Sequence, residues 1–291
     1  MRRMVPKALV RDILESEGVV KVGGKTRRIS ILFTDVKDFT PIAQSIPAET
    51  LMVSLSEYFD ELASLIIRED GTVDKFIGDA IFAFWNAPLP VARHEHAVCK
   101  AALKCSAASR RLNARWIEKG QAQWHTRFGV HVGEAVLGNV GSSDRIDYTA
   151  IGDTVNIAAR LEGLNKFYGT SILASGQIVS VCSNEFLFRL IDRTMPKGTG
   201  NVLEIFELVG MIEGPDEFSV TPKQQALVEC WNNLYALYES RDWARALDAL
   251  KGFVDHYPDD LVAEVYRSRV AEFLRVPPLE TWDGITHFEL K

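Results

Sequence analysis

Residues 73–85 read VDKFIGDAIFAFW, and in this mostly apolar run Lys75 and Asp79 stand four positions apart around Ile77-Gly78. A strand should not bury two lone charges, because an unpaired ion costs far more to desolvate than an unpaired amide. Asp35, in the segment ISILFTDVKDFT, offers a second carboxylate where a strand gives way to a turn and a helix. Backbone N–H groups at such a turn suit an anion, and a carboxylate beside them suits a metal carrying that anion. Two ionised carboxylates about 4 Å apart repel by about 4 kcal/mol at an effective dielectric near 20. A pair such as Asp35 and Asp79 therefore calls for a divalent cation, or two. Taken singly, each is an ordinary turn residue.

Other residue groups point nowhere so specific. His94-Glu95-His96 is not H-E-x-x-H, and with Cys99 it decorates a helix start. GVVKVGGKT has five residues between Gly18 and Gly24-Lys25-Thr26 where a phosphate loop needs four. No Ser-His-Asp pattern with an elbow glycine is present, and no G-G-D/E-E-F run. Trp85, Trp116 and Trp124 read as core or interface.

The elements that must position the candidates follow from periodicity. Residues 1–22 suggest a short connector helix, and RRISILFTD a strand. Pro47 to Arg68 is an amphipathic helix with Leu51, Leu55, Tyr58, Phe59, Leu62 and Ile66 on one face. Thr72 to Trp85 gives two short strands, and Val91 to Glu118 a second helix. WHTRFGVHV alternates as a strand; VLGNVG, DRIDYTAIG and DTVNIAARLEGLNK supply a strand, a hairpin and a helix. SILAS and the segments from FRLIDR to FELVG supply the last strands. The order βαββαβ with extra hairpins predicts an α+β, ferredoxin-like antiparallel sheet with helices on one face.

At 291 residues the chain has room for one large domain, or one medium domain with an appendage. A net charge of -6 argues against a nucleic-acid binder. Four cysteines without a C-x-x-C pair fit a reducing cytosol. No apolar run approaches the roughly 18 residues that span a bilayer, and MRRMVPKALV lacks a signal-peptide core, so a cytoplasmic location is expected, although the chain could be the cytosolic end of a longer membrane-anchored receptor.

FWNAPL, RFGVHVGEAVLGNVG and DYTAIGDTVNIAARLEGLNK occur in an order and spacing that resemble class III nucleotide cyclases, the adenylate and guanylate cyclase catalytic domain, over roughly residues 27–209. Within that family the sequence looks similar to the bacterial receptor cyclases. The resemblance implies domains at 27–212 (catalytic) and 213–291 (a helical extension), after a connector over 1–26. It places the metal-binding aspartates on Asp35 and Asp79, with the carbonyl of Val36 as a further ligand and two divalent cations, Mg²⁺ or Mn²⁺. The amides around Phe39 and Thr40 would hold the terminal phosphates; Asp38 stands where many members have Gly. Arg127 matches the triphosphate-binding arginine, Asn156 the ribose-orienting asparagine and Arg160 the arginine that stabilises the transition state. A further phosphate contact falls on Lys197, or on Thr199 in PKGTG. Base selection falls on Lys75 and Thr149, where guanylate cyclases of the family typically have Glu and Cys. Lys offers only donors, which suits N1 of adenine and not N1–H of guanine.

The resemblance implies that ATP is cyclised to cyclic AMP in a groove between two protomers. Asp79 would serve the site holding its own Asp35, and Lys75 would reach the other site together with Thr149, Asn156 and Arg160. A catalytically silent nucleotide-sensing or scaffold module is the alternative. In the extension, Trp231, Leu234 and Tyr238, and the stretch Ala246 to Pro258, keep tetratricopeptide-like spacing with a turn one residue short. One such unit cannot bury its own face, so it should dock on the catalytic core or on a protein partner.

Overall fold

The computed structural model describes residues 23–142, 146–196, 202–215 and 217–288. The expected connector helix over 1–22, together with Lys197 and Thr199, lies outside them. The chain divides into two compact units, one through Glu162 and one from Gly163 onward.

In the first unit, β1 (Gly23–Val36) lies between β3 (Ala80–Trp85) and β4 (Thr126–Gly141). β2 (Thr72–Ile77) flanks β3, and β5 (Ile146–Ile151) pairs with the far half of β4; every pairing is antiparallel. The segments expected as two strands, WHTRFGVHV and VLGNVG, form the single strand β4, which pairs β1 along Thr126–Asn139 on one edge and β5 along Val136–Gly141 on the other. α1 (Phe39–Ser45) and α2 (Ala48–Arg68) follow β1, and α3 (His94–Glu118) follows β3. α2 buries Ser54, Tyr58, Leu62 and Ile66; of the face read from the sequence Tyr58, Leu62 and Ile66 are buried, while Leu51, Leu55 and Phe59 are half-buried. It ends at Asp70-Gly71, where the Gly71 amide reaches back to the Ile66 carbonyl at 2.9 Å. The Trp85 ring lies against Gly71 so closely that a Cβ there would stand 2.6 Å from it.

The helices do not all lie on one face of the sheet, as expected from sequence. Successive strand residues point to opposite faces. Ser30 hydrogen-bonds His94 at the start of α3 (Oγ–Nδ1 2.7 Å), and α3 packs with α2 through Cys105 and the Leu62 carbonyl. Ile29 and Ile31 instead join a cluster with Phe82, Phe84, Ala150 and Ala158. Ala158 belongs to α4 (Asp153–Tyr168), so the first part of that helix covers the opposite face. It comes very close at Gly129 of β4, where a Cβ would stand 2.2 Å from the Ala158 carbonyl oxygen.

In the second unit β8 (Leu203–Met211) pairs antiparallel with β6 (Ile172–Ser175) and β7 (Phe186–Pro196), with α5 (Gly176–Cys182) between β6 and β7. α6 (Pro222–Glu239), α7 (Trp243–His256) and α8 (Leu261–Arg275) follow, and β9 (Ile285–Phe288) runs parallel to β7. Thr221 and Gln224 form a capping box for α6, while Asp242 and Asp260 cap α7 and α8. The apolar face of these helices is covered within the unit, against β7. Trp231 donates to the Leu190 carbonyl (2.6 Å), Tyr266 to that of Ile191 (2.7 Å), and Arg269 pairs with buried Asp192 (3.0 Å). Arg189 of β7 reaches both Asp260 (2.5 Å) and Glu207 (2.8 Å).

Candidate active site

Asp35 lies one residue from the end of β1, directly opposite Arg127 in the β1–β4 ladder. Arg127 Nη2 lies 2.5 Å from Asp35 Oδ2, and its Nε lies 3.0 Å from Glu162 Oε1 on α4. The chain then turns through Asp38, whose left-handed φ of 55° is a conformation that Gly adopts most readily and that Asp tolerates better than most residues. Phe39 opens α1, its ring edge-on to Trp124, and exposed Thr40 follows. As first-turn positions, Phe39 and Thr40 have no intrahelical acceptor for their amides.

Asp79, at the β2–β3 hairpin, is brought to the same strand end: its Oδ2 accepts the Val36 amide at 2.9 Å. Burial, and then the charge of Asp35, push the Asp79 carboxyl up to about 6 against the opposing Val36 N–H. Burial and Asp35 likewise push Glu162 up to about 7, with Arg127 opposing. Among the described residues no group of three or more His, Cys, Asp or Glu side chains is placed to hold a metal ion. Asp35, Asp79 and the Val36 carbonyl are hard oxygen donors, and the carboxylates repel one another. That donor set suits a hard divalent cation.

A second cluster forms where β2 meets β5. Lys75 Nζ lies 3.3 Å from Thr149 Oγ1, although the two are 74 residues apart in sequence. Between them sits Asp74, which accepts the Thr149 hydroxyl at 2.5 Å and pairs with Lys75 at 3.2 Å. Asn156 and Arg160 are exposed one turn apart on α4, which Thr154 ties to the Glu134 carbonyl of β4 (2.5 Å). The structure thus brings together Asp35, Val36, Asp79 and Arg127, and separately Lys75 with Thr149. Sequence reasoning missed Asp74 and Glu162. The signal for both was available: a carboxylate next to Lys75, and one two residues after Arg160 on the same helix.

His94 begins α3 and pairs with Ser30 and Glu95, a structural role as expected. Phe76, Ile77, Val136 and Ile151 leave large apolar surface exposed on β2 and β5, which carry the second cluster, and on β4, which pairs with β5. No helix among the described residues is long and apolar enough to cross a membrane.

Residues 22–208 match the family model of the adenylate and guanylate cyclase catalytic domain. The chain belongs to this family. The chain is 42% identical over 208 residues to "Adenylate cyclase 1" of Rhizobium meliloti, covering 72% of this chain and 31% of the relative. It is 33% identical to "Adenylate cyclase" of Anabaena cylindrica over 213 residues, 71% of this chain and 42% of that one. The chain therefore spans less than half the length of these relatives. Among solved structures it resembles the guanylyl cyclase Cya2 (TM-score 0.62, 27% identity, 68% of this chain and 100% of that one). The adenylyl cyclase CyaB from P. aeruginosa shares the fold (TM-score 0.56, 24% identity, 67% and 99%). The α+β cyclase fold is common to all of them, and the family uses divalent metal ions.

Proposed function

We propose that this cyclase domain converts ATP to 3′,5′-cyclic AMP and pyrophosphate. The observation that carries the choice of ATP is the meeting of Lys75 and Thr149, which supplies a donor and an oxygen where a base edge would lie. Asp35, Asp79 and the Val36 carbonyl would hold two divalent ions, Mg²⁺ or Mn²⁺, which when bound neutralise the triphosphate and acidify the ribose 3′-hydroxyl. The amides of Phe39 and Thr40 orient the terminal phosphates. Arg127, paired with Asp35 and Glu162 here, turns its guanidinium to the triphosphate, and Lys197 or Thr199 adds a further contact. Asn156 fixes the ribose so that its 3′-oxygen lies in line with the α-phosphorus. Arg160 stabilises the charge that builds as the new P–O bond forms and the bond to pyrophosphate breaks. No side-chain nucleophile is needed; positioning carries much of the rate.

Two copies of the chain form the working unit. Exposed Phe76, Ile77, Val136 and Ile151 give the contact surface, and Lys75, Thr149, Asn156 and Arg160 of one copy complete the site built on Asp35 and Asp79 of the other. The catalytic domain spans 27–212 and the helical extension 213–291. A cytoplasmic setting, an upstream sensor or membrane region and a protein partner for the extension complete the reading.

Cyclic-nucleotide formation from ATP and from GTP, with Mg²⁺ or Mn²⁺ and across protein concentration, is the direct test. Absence of cyclic AMP refutes the activity, and a specific rate independent of concentration down to proven monomer refutes the shared site. Mixing inactive Asp79→Asn with inactive Asn156→Ala should restore part of the turnover, since one site in the mixed dimer keeps both residues. A dead mixture containing proven heterodimers would exclude that arrangement.

A further inference from the structure

We infer that Asp74 is a positioning residue for base selection: it fixes the direction of the Thr149 hydroxyl, so that this hydroxyl can only accept a hydrogen bond from the bound base. The inference rests on the reading that Lys75 and Thr149 face the base.

A hydroxyl alone is an ambiguous reader, since it carries one proton and two lone pairs and can serve adenine or guanine. Here the proton is committed. Thr149 Oγ1 lies 2.5 Å from Asp74 Oδ2, and an ionised carboxylate only accepts, so the hydroxyl must donate to it. One Thr149 lone pair faces Lys75 Nζ at 3.3 Å. One lone pair is left for a ligand. Lys75 has three N–H donors; one goes to Thr149, one to Asp74 Oδ1 at 3.2 Å, and one is left. The cluster therefore presents one acceptor and one donor side by side. Adenine offers the matching N6–H and N1, whereas guanine offers O6 and N1–H, a mismatch at both atoms.

The burial of the groups agrees with this division of roles. The Asp74 side chain is 1% exposed and that of Lys75 40%, so the carboxylate stands behind the pair while the ammonium remains open to a ligand. The Ala150 backbone amide also bonds the Asp74 carboxyl and helps hold it in place. The backbone is shaped for the arrangement. In the β2–β3 ladder Val73 opposes Ala83 and Lys75 opposes Phe82, so Asp74 is the extra residue of a β-bulge. Regular alternation would send Asp74 and Lys75 to opposite faces; the bulge re-aims them so that both reach Thr149.

The test measures kcat/KM for ATP and for GTP on the purified wild-type chain, Asp74→Asn, Asp74→Glu, Thr149→Val and the Asp74→Asn/Thr149→Val double variant. The ratio of the two constants does not depend on the fraction of active protein, so partial misfolding does not disturb it. The carboxamide introduced by Asp74→Asn can turn its NH₂ to Thr149 and free the hydroxyl to donate to guanine O6. The ATP:GTP ratio should then fall by at least about tenfold, the worth of one hydrogen bond. Asp74→Glu, which keeps an acceptor-only group, should stay near the wild-type ratio. With Thr149→Val already present, Asp74→Asn should change the ratio no further. An unchanged ratio in Asp74→Asn, an equal fall in Asp74→Glu, or an undiminished effect in the Thr149→Val background each overturns the inference. Wild type that forms no cyclic AMP, or whose ratio ignores Lys75→Glu, refutes the underlying reading as well; an ATP preference that depends on Lys75 but not on Asp74 refutes the inference alone.

Discussion

Replacing Gly129 with Ala tests whether the sheet sets the position of the helix that carries Asn156, Arg160 and Glu162. The added Cβ would stand 2.2 Å from the Ala158 carbonyl oxygen and 2.3 Å from the Glu162 amide nitrogen, where ordinary contact begins near 3.4 Å. Both obstructing atoms are helix backbone, so no rotamer change relieves the clash. α4 must move away from β4 by about 1 Å, and overpacking of this kind typically costs about 1–3 kcal/mol. A misplacement of about 1 Å at a catalytic group costs on the order of 10²-fold in rate. Gly129→Ala should therefore lower kcat for cyclic AMP formation by about 10²-fold while the protein still folds. Initial rates at saturating ATP, together with circular dichroism melts, separate the two effects. Gly252→Ala is the control: it lies in α7, its Cβ would meet nothing within 4 Å, and removal of a helical Gly should add up to about 1 kcal/mol without changing turnover. A Gly129→Ala protein within threefold of wild-type turnover would show that contact with β4 does not set the catalytic register of α4.

Lys75→Glu with Thr149→Cys should move the ATP:GTP ratio toward GTP by about 10²-fold, the worth of two hydrogen bonds, and an unchanged ratio counts against both base-reading roles. Burial, and then Arg28, lower the His131 ring to about 4 from 6.5, so the folded state holds it neutral while the unfolded state takes up a proton. Its contribution is present above pH 6.5 and is lost as pH falls toward 4; over that span wild type should lose up to about 3 kcal/mol more than His131→Gln in urea unfolding. Equal acid limbs for the two proteins would exclude this. Asp260→Ala removes the α8 cap and a partner of buried Arg189, and should cost about 3 kcal/mol or more, whereas Asp260→Asn keeps the cap and isolates the ion pair. Equal losses in the two variants would assign the whole effect to the charge.

The site was legible where chemistry and strand ends coincide. Asp35 and Asp79 are carboxylates that a strand cannot bury alone, and a turn beside each gives them somewhere to meet, which the Val36 amide then fixes. The distribution of helices over the sheet was less legible. Helical periodicity tells which side of a helix is buried, but it does not tell which face of the sheet receives it. The run Ile29 to Leu32, buried on consecutive residues, is the sign that both faces of β1 are covered. β4 reads from the sequence as two strands, WHTRFGVHV and VLGNVG, with Gly133 in the gap between them. Gly133 instead admits Thr154 of α4, and Gly138 admits the Gly23–Gly24 backbone of β1.

Asp74 escaped for a different reason. A period of two places it on the face opposite Lys75, where a charge on an edge strand is an ordinary solvated group. The extra residue in the β2–β3 register cancels that alternation, and no Gly or Pro marks the place. The desolvation cost that weighs on a lone Lys75 or Asp79 weighs more on Asp74, whose side chain is far less exposed than that of Lys75. A carboxylate so buried survives only with donors around it, and Thr149, Lys75 and the Ala150 amide are those donors. Satisfying Asp74 and orienting Thr149 are therefore one requirement. A substitution that relieves the first by removing the charge must release the second.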